Sequence, residues 1–118
     1  MNYTLLIYEG AADFAMRKDP AKAPGYWAAW PPYADALRKA GVFVGGAGLQ
    51  GPETATTVRM RDGSRAVQDG PYADTKEQLG GFFIIDVADL DAALEWAARA
   101  PVGPGAVVEV RPDLPPMG

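Results

Sequence analysis

Between residues 69 and 77 the sequence DGPYADTKE sets three carboxylates, Asp69, Asp74 and Glu77, beside Lys76 and the phenol of Tyr72. Clustered carboxylates raise the pKa of one member into the range where it gives and takes protons, and a nearby lysine polarises a carbonyl or holds a carboxylate substrate. Asp69 and Glu77 are therefore candidate proton-transfer groups, Lys76 a candidate charge stabiliser, and Tyr72 and Asp74 candidate ligand contacts. The same stretch also reads as turn chemistry. Asp69 can hydrogen-bond its own backbone, Gly70 tolerates positive φ, and Pro71 fixes the next φ. Thr75 and Gln78 stand at capping-box spacing, which predicts a single helical turn over ADTKEQL stopped by Gly80.

A second group combines Tyr8-Glu9 with Tyr26, Trp27 and Trp30. Aromatic walls with a carboxylate at the lip have the character of a small-molecule pocket, which makes Tyr8, Glu9, Trp27 and Trp30 candidate ligand contacts. The alternative for such aromatics is to fill core or a dimer interface. The glycines of GAGLQG, residues 46 to 51, match the spacing of a dinucleotide-binding loop. That loop works only when a helix N-terminus follows it, whereas Pro52 and the β-prone TATTVR come next, so the glycines read as a bend or bulge.

What is missing narrows the chemistry further. Histidine and cysteine are both absent, which removes thiolate nucleophiles, disulfides, imidazole bases and the usual zinc ligands. A metal would have to rest on carboxylates such as Glu9, Asp69 or Asp74, and no spacing here resembles a hard-cation loop, so neither a metal nor a cofactor is expected. With 11 basic and 15 acidic residues the net charge is -4, and the scattered basic residues offer no stripe for phosphates, so nucleic-acid binding is not expected. MNYTLLIYEG lacks a basic leader and a long apolar run. No signal peptide or membrane span is expected, and the cytoplasm is the expected location.

The elements that must position these residues follow from periodicity. The 118 residues, 48% of them hydrophobic, suit one domain with one core. NYTLLIYE alternates as a strand, residues 10 to 24 read as a loop with at most a helical turn near Asp13, and a helix is predicted from Pro32 to Ala40. Tyr33, Leu37 and Ala40 share its buried face, and Gly41 stops it. VFVGGAGL is a second strand, TATTVRMR and SRAVQDG pair across Asp62-Gly63, and GGFFIIDV is a central strand. DLDAALEWAARA is a helix capped by Asp89, with Leu90, Ala93, Leu94, Ala97 and Ala98 as its apolar stripe and Pro101 as its end. AVVEVR closes the fold at residue 111, and residues 112 to 118, PDLPPMG, form a proline-rich tail.

Without the hairpin this order is βαββαβ, an α+β fold of ferredoxin-like type with an inserted β-hairpin. Two helices cover one sheet face, so the other face of a sheet with strands this apolar (Phe82, Phe83, Ile84, Ile85) needs a partner, and a second copy of the chain is the simplest.

The blocks YTLLIYE, LRKAGVFVGGAGL, DGPYADTKEQLGGFF and DVADLDAALEWAAR resemble the YCII-related proteins, in particular the branch named for an Asp-Gly-Pro-Phe motif. Here that motif is Asp69-Gly70-Pro71-Tyr72. The resemblance implies a homodimeric α+β barrel with a cleft in each subunit between sheet and loops. The histidine–aspartate pair suggested as a reaction centre in the wider family has no counterpart in a chain without histidine. The function expected is small-molecule binding in that cleft, with acid–base work left to carboxylates. The alternative is a non-catalytic regulatory or protein-interaction module, in keeping with a suggested link of the motif-bearing branch to transcription regulation.

Overall fold

β1 (Asn2–Glu9) follows the two-residue period of its sequence. Tyr3, Leu5, Ile7 and Glu9 are buried on one face, and Asn2, Thr4, Leu6 and Tyr8 are half-buried on the other. In this computed structural model, which describes residues 1–116, β1 lies between β5 (Gln78–Asp86) and β6 (Val107–Pro112), and β2 (Phe43–Gly48) flanks β5. The order β2-β5-β1-β6, antiparallel throughout, is that of a ferredoxin-like sheet. β3 (Thr56–Arg61) and β4 (Ser64–Asp69) form a separate hairpin.

Among the described residues four α-helices accompany the strands: α1 (Ala11–Met16), α2 (Ala23–Ala28), α3 (Trp30–Lys39) and α4 (Leu90–Ala98). Tyr33 and Leu37 of α3 and Ala93 of α4 meet Tyr3, Leu5 and Ile85 from the sheet in one core. The Tyr33 hydroxyl donates 2.7 Å to the carbonyl of Trp96, tying α3 to α4. The other face of the sheet presents Thr4 and Leu6 of β1 beside Ile84 and Phe82 of β5, all partly open to solvent.

Several boundaries differ from the sequence reading, each for a physical reason. The stretch expected to be loop holds α1 and the start of α2, because its alanines favour helix and Gly10 supplies the extended residue that opens the first turn. α3 starts at Trp30, not Pro32, and carries both prolines in its first turn, where backbone N–H groups have no partner to lose. The restraint that a proline places on the residue before it is overcome at Trp30, whose ring stacks against Phe83 and meets Tyr33 edge-on. Ala40 is exposed, so the buried side of α3 rests on Tyr33 and Leu37. Gly41 does end the helix, with φ +74° and hydrogen bonds from Gly41 N to Arg38 O and Val42 N to Leu37 O.

In α4 the Asp89 side chain caps the helix by accepting from Ala92 N at 2.9 Å. Its buried face is rotated from the one expected: Ala93, Trp96, Ala97 and Ala100 pack on the core, and Leu90 and Leu94 are exposed. One bulky aromatic, Trp96, outweighs two leucines in deciding which side turns inward.

The hairpin turn is as the sequence reads, with Asp62 at φ 49° and Gly63 at φ 78°, the two positive values of a type I′ turn. The stretch before β5 is not. Residues 71–77 form no helical turn. Thr75 and Gln78 are engaged with one another's segment, but Gln78 Nε2 donates to the carbonyls of Ala73 and Thr75, and Thr75 Oγ1 donates to Glu77 O. These bonds cinch an irregular loop that enters the strand at Gln78, two residues earlier than Gly80. At the far end β6 runs through Pro112, and Asp113 is tied back by its N–H to Asn2 O and by its carboxylate to Thr4 Oγ1. The proline-rich tail therefore begins as sheet edge, and its last two residues lie outside the described ones.

Candidate functional site

The alternation that buries Tyr3, Leu5 and Ile7 also buries Glu9, which is 2% exposed at the end of β1. An isolated carboxylate there would be costly. Arg17, just beyond α1, offsets it through Nη2 at 2.6 Å from Glu9 Oε1, and Tyr26 of α2 donates to both carboxylate oxygens, at 2.9 and 2.6 Å. The remaining contacts of Arg17 tie distant segments together. Nε donates to the Tyr26 oxygen at 3.1 Å, Nη1 to Leu49 O at 2.5 Å and Nη2 also to Gly80 O at 3.2 Å. The rings of Phe14, Tyr26 and Trp27 lie 4.8 to 5.5 Å from its guanidinium carbon, a setting that favours the cation.

This geometry fixes the protonation of the cluster. Burial pushes the Tyr26 phenol up to about 12, and its bond to Glu9 adds to that. Burial works against the charge on Arg17, yet its bonds to Glu9 and Tyr26 outweigh burial and hold it still more firmly cationic. At neutral pH Tyr26 is therefore a phenol and Arg17 a guanidinium. Removing either charged partner alone would strand the other in the interior.

Glycines make the room. Between Ile7 and Tyr8 of β1 the pairing with β5 shifts, and Gly80 is the extra residue, a β-bulge. A side chain at Gly80 would collide with the Glu9 carboxylate and the Arg17 guanidinium, and one at Gly46 would come within 2.5 Å of Phe82 O. Gly80, the first of the two glycines that close the 69–81 stretch, thus admits the buried ion pair.

Above these glycines opens a cavity of about 310 Å³, at the small end of ligand sites. Trp27, Trp30, Phe43 and Phe83 wall it, Gly46, Gly48 and Gly80 pave it, and Glu9, Arg17 and Tyr26 form one end. Arg38 lines it from α3, its guanidinium 4.6 Å over the Phe43 ring. A smaller hollow of about 200 Å³ lies nearby beside an exposed Lys18–Glu53 ion pair. The hydrogen bond from Lys18 holds Glu53 below the usual carboxylate range.

Of the residues singled out by sequence, the cavity gathers Glu9, Tyr26, Trp27 and Trp30. Tyr8 alternates to the opposite sheet face. Asp69, Tyr72, Asp74, Lys76 and Glu77 are all exposed and none lines the cavity. Tyr72 stacks instead under the Arg59 guanidinium at 5.0 Å. Sequence reasoning missed Arg17 and Arg38, which stand in ordinary-looking basic pairs. The one available signal for Arg17 was the need of a buried Glu9 for a cation. Among the described residues no group of histidines, cysteines and carboxylates gathers for a metal ion, and no helix is long and apolar enough to cross a membrane.

The family model described as the YCII-related domain matches residues 1–114. An uncharacterized protein of Rhizobium meliloti (strain 1021) is 56% identical to this chain over 43 residues, which is 36% of this chain and 35% of that relative. The chain thus spans about a third of the length of the curated relative it matches.

Proposed function

The chain belongs to the YCII-related family, and from that premise we propose that it binds a small molecule in the cavity between the glycine-rich sheet surface and α2–α3. One observation carries the reading: a cavity of about 310 Å³ ends on a buried, fully partnered Glu9–Arg17–Tyr26 cluster and is otherwise aromatic. Apolar walls supply affinity and the few fixed polar groups supply orientation. Glu9, held between a cation and a phenol, is an oriented acceptor for a ligand N–H or O–H, and it is the one carboxylate of the lining.

In this reading the segment bearing Asp69, Lys76 and Glu77 works from outside the cavity. It is the lip of the chain that runs into Gly80, and any proton transfer by its carboxylates acts on the part of a ligand that projects beyond the walls. Two copies joined through the Leu6, Phe82 and Ile84 face would leave both cavities open, because the cavity lies on the helix side of the sheet.

A thermal-shift screen of the purified chain against a metabolite library is the test. A ligand that binds the folded state alone raises Tm, by about 2.7 kcal/mol of added stability at a hundred times Kd. The shift is expected to vanish in Glu9→Gln for ligands that donate to the carboxylate. No ligand shifting the wild type, across a library rich in small aromatic and apolar acids, amides and amines, would refute the reading.

A further inference from the structure

We propose that the ligand is an organic anion with a flat apolar body, whose negative group pairs with Arg38. This deepens the binding reading above and rests on it. The cavity holds three charged side chains, Glu9, Arg17 and Arg38. Glu9 and Arg17 cancel one another at 2.6 Å, and the Arg17 nitrogens are committed to Tyr26, Leu49, Gly80 and Glu9. Arg38 is different. Its ion-pair partner is Asp35, one helical turn back at 3.3 Å, and both side chains are more than half exposed. An exposed pair of that kind contributes little and yields readily to a better-placed anion.

The lining therefore carries a net positive charge in a protein whose overall charge is -4. A guanidinium resting on the Phe43 ring is restrained in direction, and its planar fork suits a carboxylate or a similar oxyanion. The shape of the body follows from the floor and walls. Gly46, Gly48 and Gly80 present bare backbone, and Trp30 and Phe83 lie 24° from parallel at 6.2 Å, a stacked wall facing the remaining space. A flat π-faced or alicyclic body meets such surfaces over most of its area. A cationic head would meet Arg38, and the charge of Glu9, the one carboxylate of the lining, is already balanced by Arg17.

Isothermal titration calorimetry on the full-length chain tests this with two matched series: 2-naphthoate and cinnamate as acids, their primary amides, and the corresponding methylamines. The acids are expected to bind roughly tenfold more tightly than the amides, the difference that one charge-assisted contact supplies, and the amines to bind most weakly. Arg38→Gln is expected to erase the acid preference and leave the amides unchanged, with Arg38→Lys restoring part of it. Gly48→Val places methyls in open space within the cavity without backbone strain and is expected to abolish binding of acids and amides alike. If amides bind wild type as tightly as acids, or if Arg38→Gln is silent, the anion assignment falls while the cavity stands as a binding site. If neither series binds wild type more tightly than it binds Gly48→Val, both readings fall.

Discussion

At the scale of single residues, Glu9 shows how one letter takes meaning from its surroundings. Its position at the end of an alternating strand predicted a place at a pocket lip, and the alternation carried it to the buried side. The sequence showed the carboxylate but not its cation, because Arg17 reaches Glu9 only after the chain has turned through α1, and no local rule marks that turn. The buried phenols have a consequence in alkaline solution. Burial holds Tyr26 and Tyr33 at about 12, against 10 for a free tyrosine. The fold therefore favours the protonated phenols. Their contribution is complete below pH 10 and is lost as pH rises through 12. Urea unfolding at intervals from pH 9 to 12 is expected to show this loss, and Tyr33→Phe to unfold with a visibly shallower dependence. Parallel curves for the two proteins would contradict it.

At the scale of elements, turn chemistry was the most legible feature. Asp62-Gly63, Asp89 and Gly41 each do what their residue types dictate, since a positive φ or an N-cap is a local demand. The prolines and the α4 stripe were misjudged because tertiary packing decided them, through Trp30 on Phe83 and Trp96 against the core. Gly41 provides a clean test of the local part. Its φ is +74° and a methyl there would touch nothing within 4 Å, so Gly41→Ala should cost only the left-handed strain, about 1 kcal/mol. Gly45→Ala, with open space and no positive φ, should change stability by less than about 0.5 kcal/mol. Chemical denaturation of both variants measures the difference, and equal effects would show that the backbone angle at Gly41 is not what the glycine serves.

At the scale of the whole molecule, the chain is a slab of 48 × 45 × 18 Å, a four-stranded sheet with one layer of helices and a separate two-stranded hairpin. The ferredoxin-like order was readable because six strand and helix signals fall in sequence. The cavity was legible in part, through Glu9, Tyr26, Trp27 and Trp30, but the rest of its lining comes from segments scattered between Ile7 and Phe83. The proposed homodimer belongs to this scale. An Ile84→Arg change sets a charge at the middle of the half-open sheet face, and analytical ultracentrifugation is expected to find half the mass of the wild-type particle, with far-ultraviolet circular dichroism unchanged. A wild-type particle of one chain's mass would dispose of the dimer directly. The exposed Val58, Met60 and Val67 of the hairpin are on one face of a two-stranded ribbon, which is marginal by itself.

The Arg17 knot also has a consequence for how the chain comes into being. Its guanidinium joins residues 9, 26, 49 and 80, so a ribosome must release the chain through Gly80 before the knot can close. Glu9, Arg17 and Tyr26 are made early, but the Leu49 and Gly80 carbonyls that anchor Arg17 arrive only later. The cavity is in this sense a certificate of completion: it exists only in molecules whose middle strands have arrived. A compound that occupies it would act on the leaving rate of finished molecules, lengthening their lifetime, and would do little to hasten the assembly of new ones.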